Sequence, residues 1–393
     1  MPFYRAVGQL PKKRHTQFRQ PDGSLYAEEL MGAEGFSGSS ALLYHRRPPT
    51  AIVDAVAWDL PEQRVTANHP LKPRHFKTHK LDVSRVDPVT GRQLLLGNGD
   101  VRLWYAVGDR PSSLYRNALG DECVYVESGR GTVETVFGTI EVGPGDYLVI
   151  PRATTHRWLP ESEEPLRTLV VEASGHIRPP ARYLSPAGQF LEQAPYCERD
   201  LRGPVEPLVV EGTDVPVLVR HRGGGTRYVY ATHPFDVVGW DGCLYPFVLN
   251  IADFEPVVGR IHRPPPVHQT FEGPGFVVCS FCPRPFDFDP QAIPAPYNHS
   301  NVDSDEVLFY VGGDFMSRKG AGIDAGSISL HPAGFIHGPQ PGSVEASIGQ
   351  PGTDEWAVMV DTFRPLDVGA AAWAIEDASY SWTWAGGGRP LSG

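Results

Sequence analysis

The stretch APYNHSNVDSDEVLFY, residues 295–310, and the stretch SLHPAGFIHGP, residues 329–339, decide how this chain is read. Each has a weaker twin earlier in the sequence. Tyr115, Asn117, Glu122 and Gly129 stand where His299, Asn301, Glu306 and Gly313 stand later; three of the four residue types match, at a single offset of 184. Gly145, Pro151, Ala153 and His156 likewise anticipate Gly326, Pro332, Gly334 and His337, at an offset of 181. Self-similarity of this kind means two copies of one structural unit.

The residues around both copies read as strands. VRLWYAV (101–107), GTVETVFGTIEV (131–142), DYLVIP (146–151) and LRTLVVEA (166–173) are short runs of Val, Ile, Tyr and Thr cut by Gly. RYVYAT (227–232), FVVCSF (276–281), SISLHP (327–332) and WAVMVDTF (356–363) repeat the pattern. No long amphipathic helix stands out, and 39 prolines suit short strands and turns rather than helices. The class is mainly β. The paired motifs resemble those of the cupin barrel, so the expected architecture is a bicupin of two jelly-roll barrels. The expected divisions are an irregular N-terminal extension over 1–100 that contributes strands to the core, a first barrel and connector over 101–225, a second barrel over 226–365, and a tail over 366–393.

Composition narrows the partners. A net charge of −11 argues against nucleic acid or an anionic membrane as the main partner. There is no run of about 18 apolar residues and no apolar segment near the start, so the reading is of a cytoplasmic protein with neither membrane span nor secretory signal. Five cysteines fit a reducing compartment. Cys279 and Cys282 form a C-x-x-C, but they lie in an apolar strand-like run without a second pair, and buried thiols are the expectation.

The second copy carries chemistry that the first lacks. His299 and Asn301, two apart on a strand, share a face; Glu306 follows after a turn, and His337 arrives from a separate segment. Two imidazoles and one carboxylate can hold one face of a metal and leave positions open for substrate and dioxygen. Nitrogen and oxygen ligands with open positions suit Fe(II), though Mn, Ni, Cu and Zn use similar sets. In the first copy Tyr115 replaces the leading His, so that barrel is expected to be metal-free, with Glu122 and His156 kept for structure. Asp303 and Asp305 neighbour Glu306 and are read as solvated or turn residues. A single His is more often a turn or core residue than a ligand; the fixed motif spacing of His299 and His337 sets them apart.

The segment YRAVGQLPKKRHTQFRQPDGSLYAEELMGAEGFSGSSALLYH, residues 4–45, together with the two C-terminal motifs, resembles homogentisate 1,2-dioxygenases over residues 4 to about 365. That resemblance implies a ring-cleaving oxidoreductase that converts homogentisate and O2 to maleylacetoacetate, with Fe(II) on His299, Glu306 and His337. It implies catalytic roles for His262 and His331, and a homo-oligomer, trimer or hexamer. Asn301, Tyr297 and His268 are the candidate substrate contacts, and Arg318 and Lys319 candidates for the substrate carboxylate. The family's H-R-N run is His299-Ser300-Asn301 here. Asp305 lies at the family's six-residue spacing from His299, but the parallel with Glu122 and Gly129 selects Glu306. The alternatives are a dioxygenase for gentisate or another hydroquinone, an oxygen-independent cupin enzyme, or a non-catalytic bicupin.

Overall fold

The computed structural model describes residues 3–81, 86–161, 163–318 and 320–385. It is mainly β and forms two compact units, one of Met1–Glu62, Val83–Gln93 and Trp104–Asn250, the other of Gln63–Asp82, Leu94–Leu103 and Ile251–Gly393. Among the described residues no helix is long and apolar enough to cross a membrane.

The first unit has two walls. One has the strand order Gly138–Val142, Gly131–Thr135, His156–Pro160, Leu114–Asn117, Thr213–His221, Gly224–Thr232, Ile52–Trp58. The other includes, in order, Leu201–Arg202, Phe247–Asn250, Asp146–Ile150, Glu122–Ser128 and Leu166–Ala173. Gly131–Thr135 shows the expected period of two, with Gly131, Val133 and Thr135 buried and Thr132 and Glu134 half-buried. The tyrosine of Leu114–Asn117 reaches Glu122 on the opposite wall, so Trp104, Tyr115 and Trp158 fill the space between walls. A separate four-stranded sheet, Arg5–Gly8, Val237–Gly242, Ser40–His45, Ala27–Gly32, uses part of the N-terminal extension.

The second unit has one strong wall: Gln269–Gly273, Phe276–Phe281, Trp356–Thr362, Asp305–Gly312, Ser327–His331, Arg74–Lys77. Phe276, Val278, Phe309, Ile328 and Leu330 are fully buried on it. Among the described residues, other pairing in this unit includes the adjacent segments 94–97 and 101–103, the two-residue ladder of Arg284–Pro285 with Gly352–Thr353, short pairings of Asp367–Gly369 with Leu96–Gly97 and Val65–Thr66, and isolated bridges at His299↔His337 and Phe76↔Glu376.

The repeat is visible as geometry. Tyr115 pairs with His156 in the first unit as His299 pairs with His337 in the second. The motif glycines Gly129 and Gly313 both turn with positive φ, 78° and 91°. A Cβ on Gly313 would lie 2.2 Å from the Asp354 carbonyl oxygen, so no other residue fits that turn.

Two expected divisions move. Residues 226–250 belong to the first unit, because Gly224–Thr232 pairs with Thr213–His221, Val237–Gly242 with Ser40–His45, and Phe247–Asn250 with Asp146–Ile150. The segment read as a tail is part of the second unit up to residue 385: Val368, Ala372, Ile375 and Tyr380 are buried there. Cys279 and Cys282 are free and buried, Cys279 in a cluster with Leu308, Tyr310 and Met359. Burial pushes the Cys282 thiol up to about 11, so it stays protonated near neutrality.

Candidate metal centre

His299 and His337 exchange backbone hydrogen bonds of 2.8 Å in both directions, which sets their rings 4.3 Å apart. Each imidazole is oriented by a carbonyl two residues before it. His299 Nδ1 lies 3.1 Å from the Tyr297 oxygen, and His337 Nδ1 lies 3.1 Å from the Phe335 oxygen. A carbonyl only accepts, so both Nδ1 atoms carry the proton and both Nε2 atoms keep a lone pair.

Those lone pairs face Glu306. Its Oε2 is 3.5 Å from His299 Nε2, and its Oε1 is 3.2 Å from His337 Nε2. The buried His337 Nε2 makes no hydrogen bond. Ligand atoms of His299, Glu306 and His337 all lie within 4.8 Å of one another. Three electron-pair donors converging with an orphaned, buried nitrogen among them fit a cation, and the donor set is the two-imidazole, one-carboxylate set of open metal sites. Burial alone would raise the Glu306 carboxyl, but the imidazoles of His299 and His331 beside it hold it well below the usual range. The neighbouring Glu306 in turn raises His299.

Asp305, the rival carboxylate, is turned away. It accepts backbone N–H groups of Ala333 and Leu366, each at 2.8 Å. Asp121 does the same for Arg152 and Ile177 in the first unit. Asp303 is exposed.

The sequence reading gave His331 a catalytic role at the metal; the structure places it behind the carboxylate. It sits opposite Glu306 in the ladder between Asp305–Gly312 and Ser327–His331, and it is fully buried. Its Nδ1 donates to Glu306 Oε1 at 2.8 Å and its Nε2 accepts from the Tyr380 hydroxyl at 2.8 Å. Burial pushes its pKa down to about 3, so it is a neutral ring with both nitrogens engaged.

A cavity of about 150 Å³ opens beside the three donors, and His299 and Glu306 form part of its wall. His262 and His268 line it. His262 is half-buried, packs edge-on at 5.1 Å against Tyr297, and is lowered by burial. His268 is buried, lowered by burial to about 3, and its Nδ1 has no hydrogen-bond partner. Arg318 also lines the cavity but is spent on the Tyr310 hydroxyl and the Gly338 carbonyl. Lys319 lies outside the described residues.

Two of the expected substrate contacts are elsewhere. Tyr297 is 59% exposed and is not in the cavity wall; its carbonyl orients His299 instead. Asn301 is not in the wall either, and its carbonyl accepts from Gly334. The structure adds residues that the motifs did not single out. Arg284 lines the cavity, donating to the Cys282 carbonyl at 3.0 Å. Asp361 stands opposite Glu306 on Trp356–Thr362 with a buried oxygen that has no partner. Burial, and then the Glu306 charge, raise it to about 8.

Comparison with known proteins places the chain. The family model described as a cupin domain matches residues 105–172. The chain is 41% identical to the Saccharolobus solfataricus protein named "Putative dioxygenase SSO1533", over 98% of this chain and 99% of that one. It is 26% identical to the homogentisate 1,2-dioxygenase of Emericella nidulans, over 94% of this chain and 88% of that one. It is also 26% identical to that of Rhodopseudomonas palustris, over 84% and 78%. With two barrels of one repeat, and likeness along nearly the whole of both chains, this protein belongs to the bicupin family of the Saccharolobus solfataricus protein.

Proposed function

We propose that this chain is a dioxygenase that opens a hydroquinone ring, with Fe(II) held by His299, Glu306 and His337, and with homogentisate as substrate and maleylacetoacetate as product. The observation that carries this reading is the convergence of two proton-free Nε2 atoms and one carboxylate beside a cavity large enough for a small ring, with His299 and Glu306 in its wall. The names of the relatives support the reaction class. Iron(II) bound there supplies one-electron chemistry that couples an electron-rich ring to dioxygen.

The chain's own groups do the rest. His262 is kept neutral by burial, so it can accept the proton of a ring hydroxyl. His268, also neutral, offers a second hydrogen-bonding partner from the same wall. Arg284 is the cation placed to hold the substrate carboxylate, a role the sequence reading gave to Arg318 and Lys319. Leu308, Phe281 and Met359 give the ring an apolar bed and keep water from it. Glu306 stays a carboxylate throughout because His331, backed by Tyr380, donates to it. Both oxygen atoms of O2 enter the product, so the overall reaction needs no further reductant.

The test is oxygen uptake by the iron-loaded protein with homogentisate, gentisate and unsubstituted hydroquinone. The expected result is one O2 per homogentisate, with the other two slower. A faster rate with gentisate moves the reading to that substrate, and no uptake with any of the three removes the dioxygenase reading.

A further inference from the structure

A second polar cavity lies in the first unit, of about 70 Å³, less than half the volume beside the metal centre. Arg116 belongs to its wall. It follows Tyr115 on the strand Leu114–Asn117, and successive side chains alternate, so Tyr115 faces Glu122 inside while Arg116 faces the other way. Its Nε and one terminal nitrogen donate to the Thr155 hydroxyl oxygen at 2.9 and 2.7 Å, and its other terminal nitrogen donates to the Tyr230 hydroxyl oxygen at 3.0 Å. Among the described residues no carboxylate lies at ion-pair distance from it. Thr155 and Tyr230 both line the cavity, and both oxygens are already accepting, so each keeps its O–H proton to give. His233 adds another donor. Its Nδ1 accepts the Phe235 N–H at 3.0 Å, which leaves its own proton on Nε2.

The far wall holds two carboxylates, but they are not free charges. His45 is fully buried between them, with Nδ1 2.5 Å from Asp236 and Nε2 3.0 Å from Glu29. An imidazole with a carboxylate at each nitrogen carries both protons. Arg116 and His45 therefore balance Glu29 and Asp236, and an incoming anion meets a donor face rather than a net negative one. The second unit lacks this arrangement: at the matching offsets Ser300 replaces Arg116, and Ile336 replaces Thr155.

We infer that this cavity is a binding site for a small oxyanion, a carboxylate or an inorganic oxyanion, held by the Arg116 guanidinium with the hydroxyls of Thr155 and Tyr230 as further donors. The site is independent of the metal centre and does not rest on the dioxygenase reading.

The test is calorimetric titration of the full chain, stripped of metal by chelator, with sodium acetate and with inorganic phosphate. Saturable binding of at least one, at one per chain, is expected, and which of the two binds identifies the ligand class. Arg116→Gln should weaken it about tenfold or more, as expected for hydrogen bonds to a charged group. Tyr230→Phe should weaken it by a smaller factor, and His299→Ala should leave it unchanged. No saturable binding of either anion by the natural chain, unchanged affinity in Arg116→Gln, or loss of binding in His299→Ala would each overturn the inference. If circular dichroism shows Arg116→Gln unfolded, Tyr230→Phe and Thr155→Val carry the test, and unchanged affinity in both overturns it.

Discussion

In the first barrel Glu122 meets the guanidinium of Arg92 through two hydrogen bonds, of 2.7 and 2.9 Å. In the second barrel Glu306 occupies the same register and meets three imidazoles. Both carboxylates are fully buried, and a buried carboxylate needs a cation. The first barrel carries its own. The second has no guanidinium there: His299 and His337 turn Nε2 toward Glu306, and His331 donates to it. The surroundings follow the same division. Glu172, on the strand beside Glu122, is held by Arg220 and Trp104, whereas Asp361 at the matching place has an unpartnered oxygen. The space next to Arg92 and Tyr115 is a void of about 10 Å³, against about 150 Å³ beside His299. One fold has thus been used twice, once as a closed, self-neutralised core and once as an open site. Even His156 keeps the ligand-like geometry: its Nδ1 bonds the Thr154 carbonyl and its Nε2 is orphaned.

The harshest way to break this contrast is to count metal. His299→Ala and His337→Ala should each take the bound metal from about one per chain to near zero, with turnover lost alongside it, while His156→Ala should leave the metal in place. Elemental analysis of purified protein decides, and metal loss in His156→Ala would erase the asymmetry.

The internal cation of the first barrel comes next. Arg92→Met strands the Glu122 charge and should cost about 3–5 kcal/mol in urea unfolding. Adding Glu122→Leu to it should recover part of that loss. If the double variant is as unstable as the single, the pair is not what neutralises the core.

The same pair predicts an acid response. Burial opposes ionisation of Glu122, but Arg92 lowers it from 4.5 to about 2. A depressed carboxyl contributes stability in full above its unfolded pKa and loses it as pH falls through the folded one. The unfolding midpoint should therefore drop between pH 4.5 and about 2, and the Arg92→Met/Glu122→Leu chain should drop less steeply over that range. Parallel curves would count against the assignment.

The mildest effect concerns the support behind Glu306. His331→Phe should weaken metal affinity about 10–100-fold, the usual effect of removing a partner behind a ligand, and still permit loading at excess metal. Tyr380→Phe should do less. Competition with a chelator of known affinity measures both, and undiminished affinity in His331→Phe would make that residue a packing element only.

Much of the centre was legible because the repeat acted as an internal ruler. The offset that aligns Glu122 with Glu306 also separated Glu306 from Asp305, one residue away on the opposite face of the same strand. Asp361 lay off that ruler, because it matches Glu172 at an offset of 189 rather than 184. Arg92, Tyr380 and Arg284 lay off it too. Their partners are set by pairing between distant segments, as with Arg92 30 residues before Glu122, and no spacing rule joins them. His331 was found by motif, but the ladder that turns it toward Glu306 is a tertiary fact that no motif spells out. The division at 225/226 failed for a similar reason: strands of alike composition were sorted by which ladder they joined.

The hydroxyl of Tyr380 lies 49 residues beyond the imidazole it serves. Chains are made from the N-terminus and domains fold as they emerge. Every residue of the first barrel, with its built-in arginine, leaves the ribosome before His299, Glu306 or His337 has been joined to the chain. The support behind Glu306 stays unfinished until Tyr380 arrives. Maturation is thereby ordered in time: the self-neutralised half can close first, and the half proposed to hold a metal closes only after it.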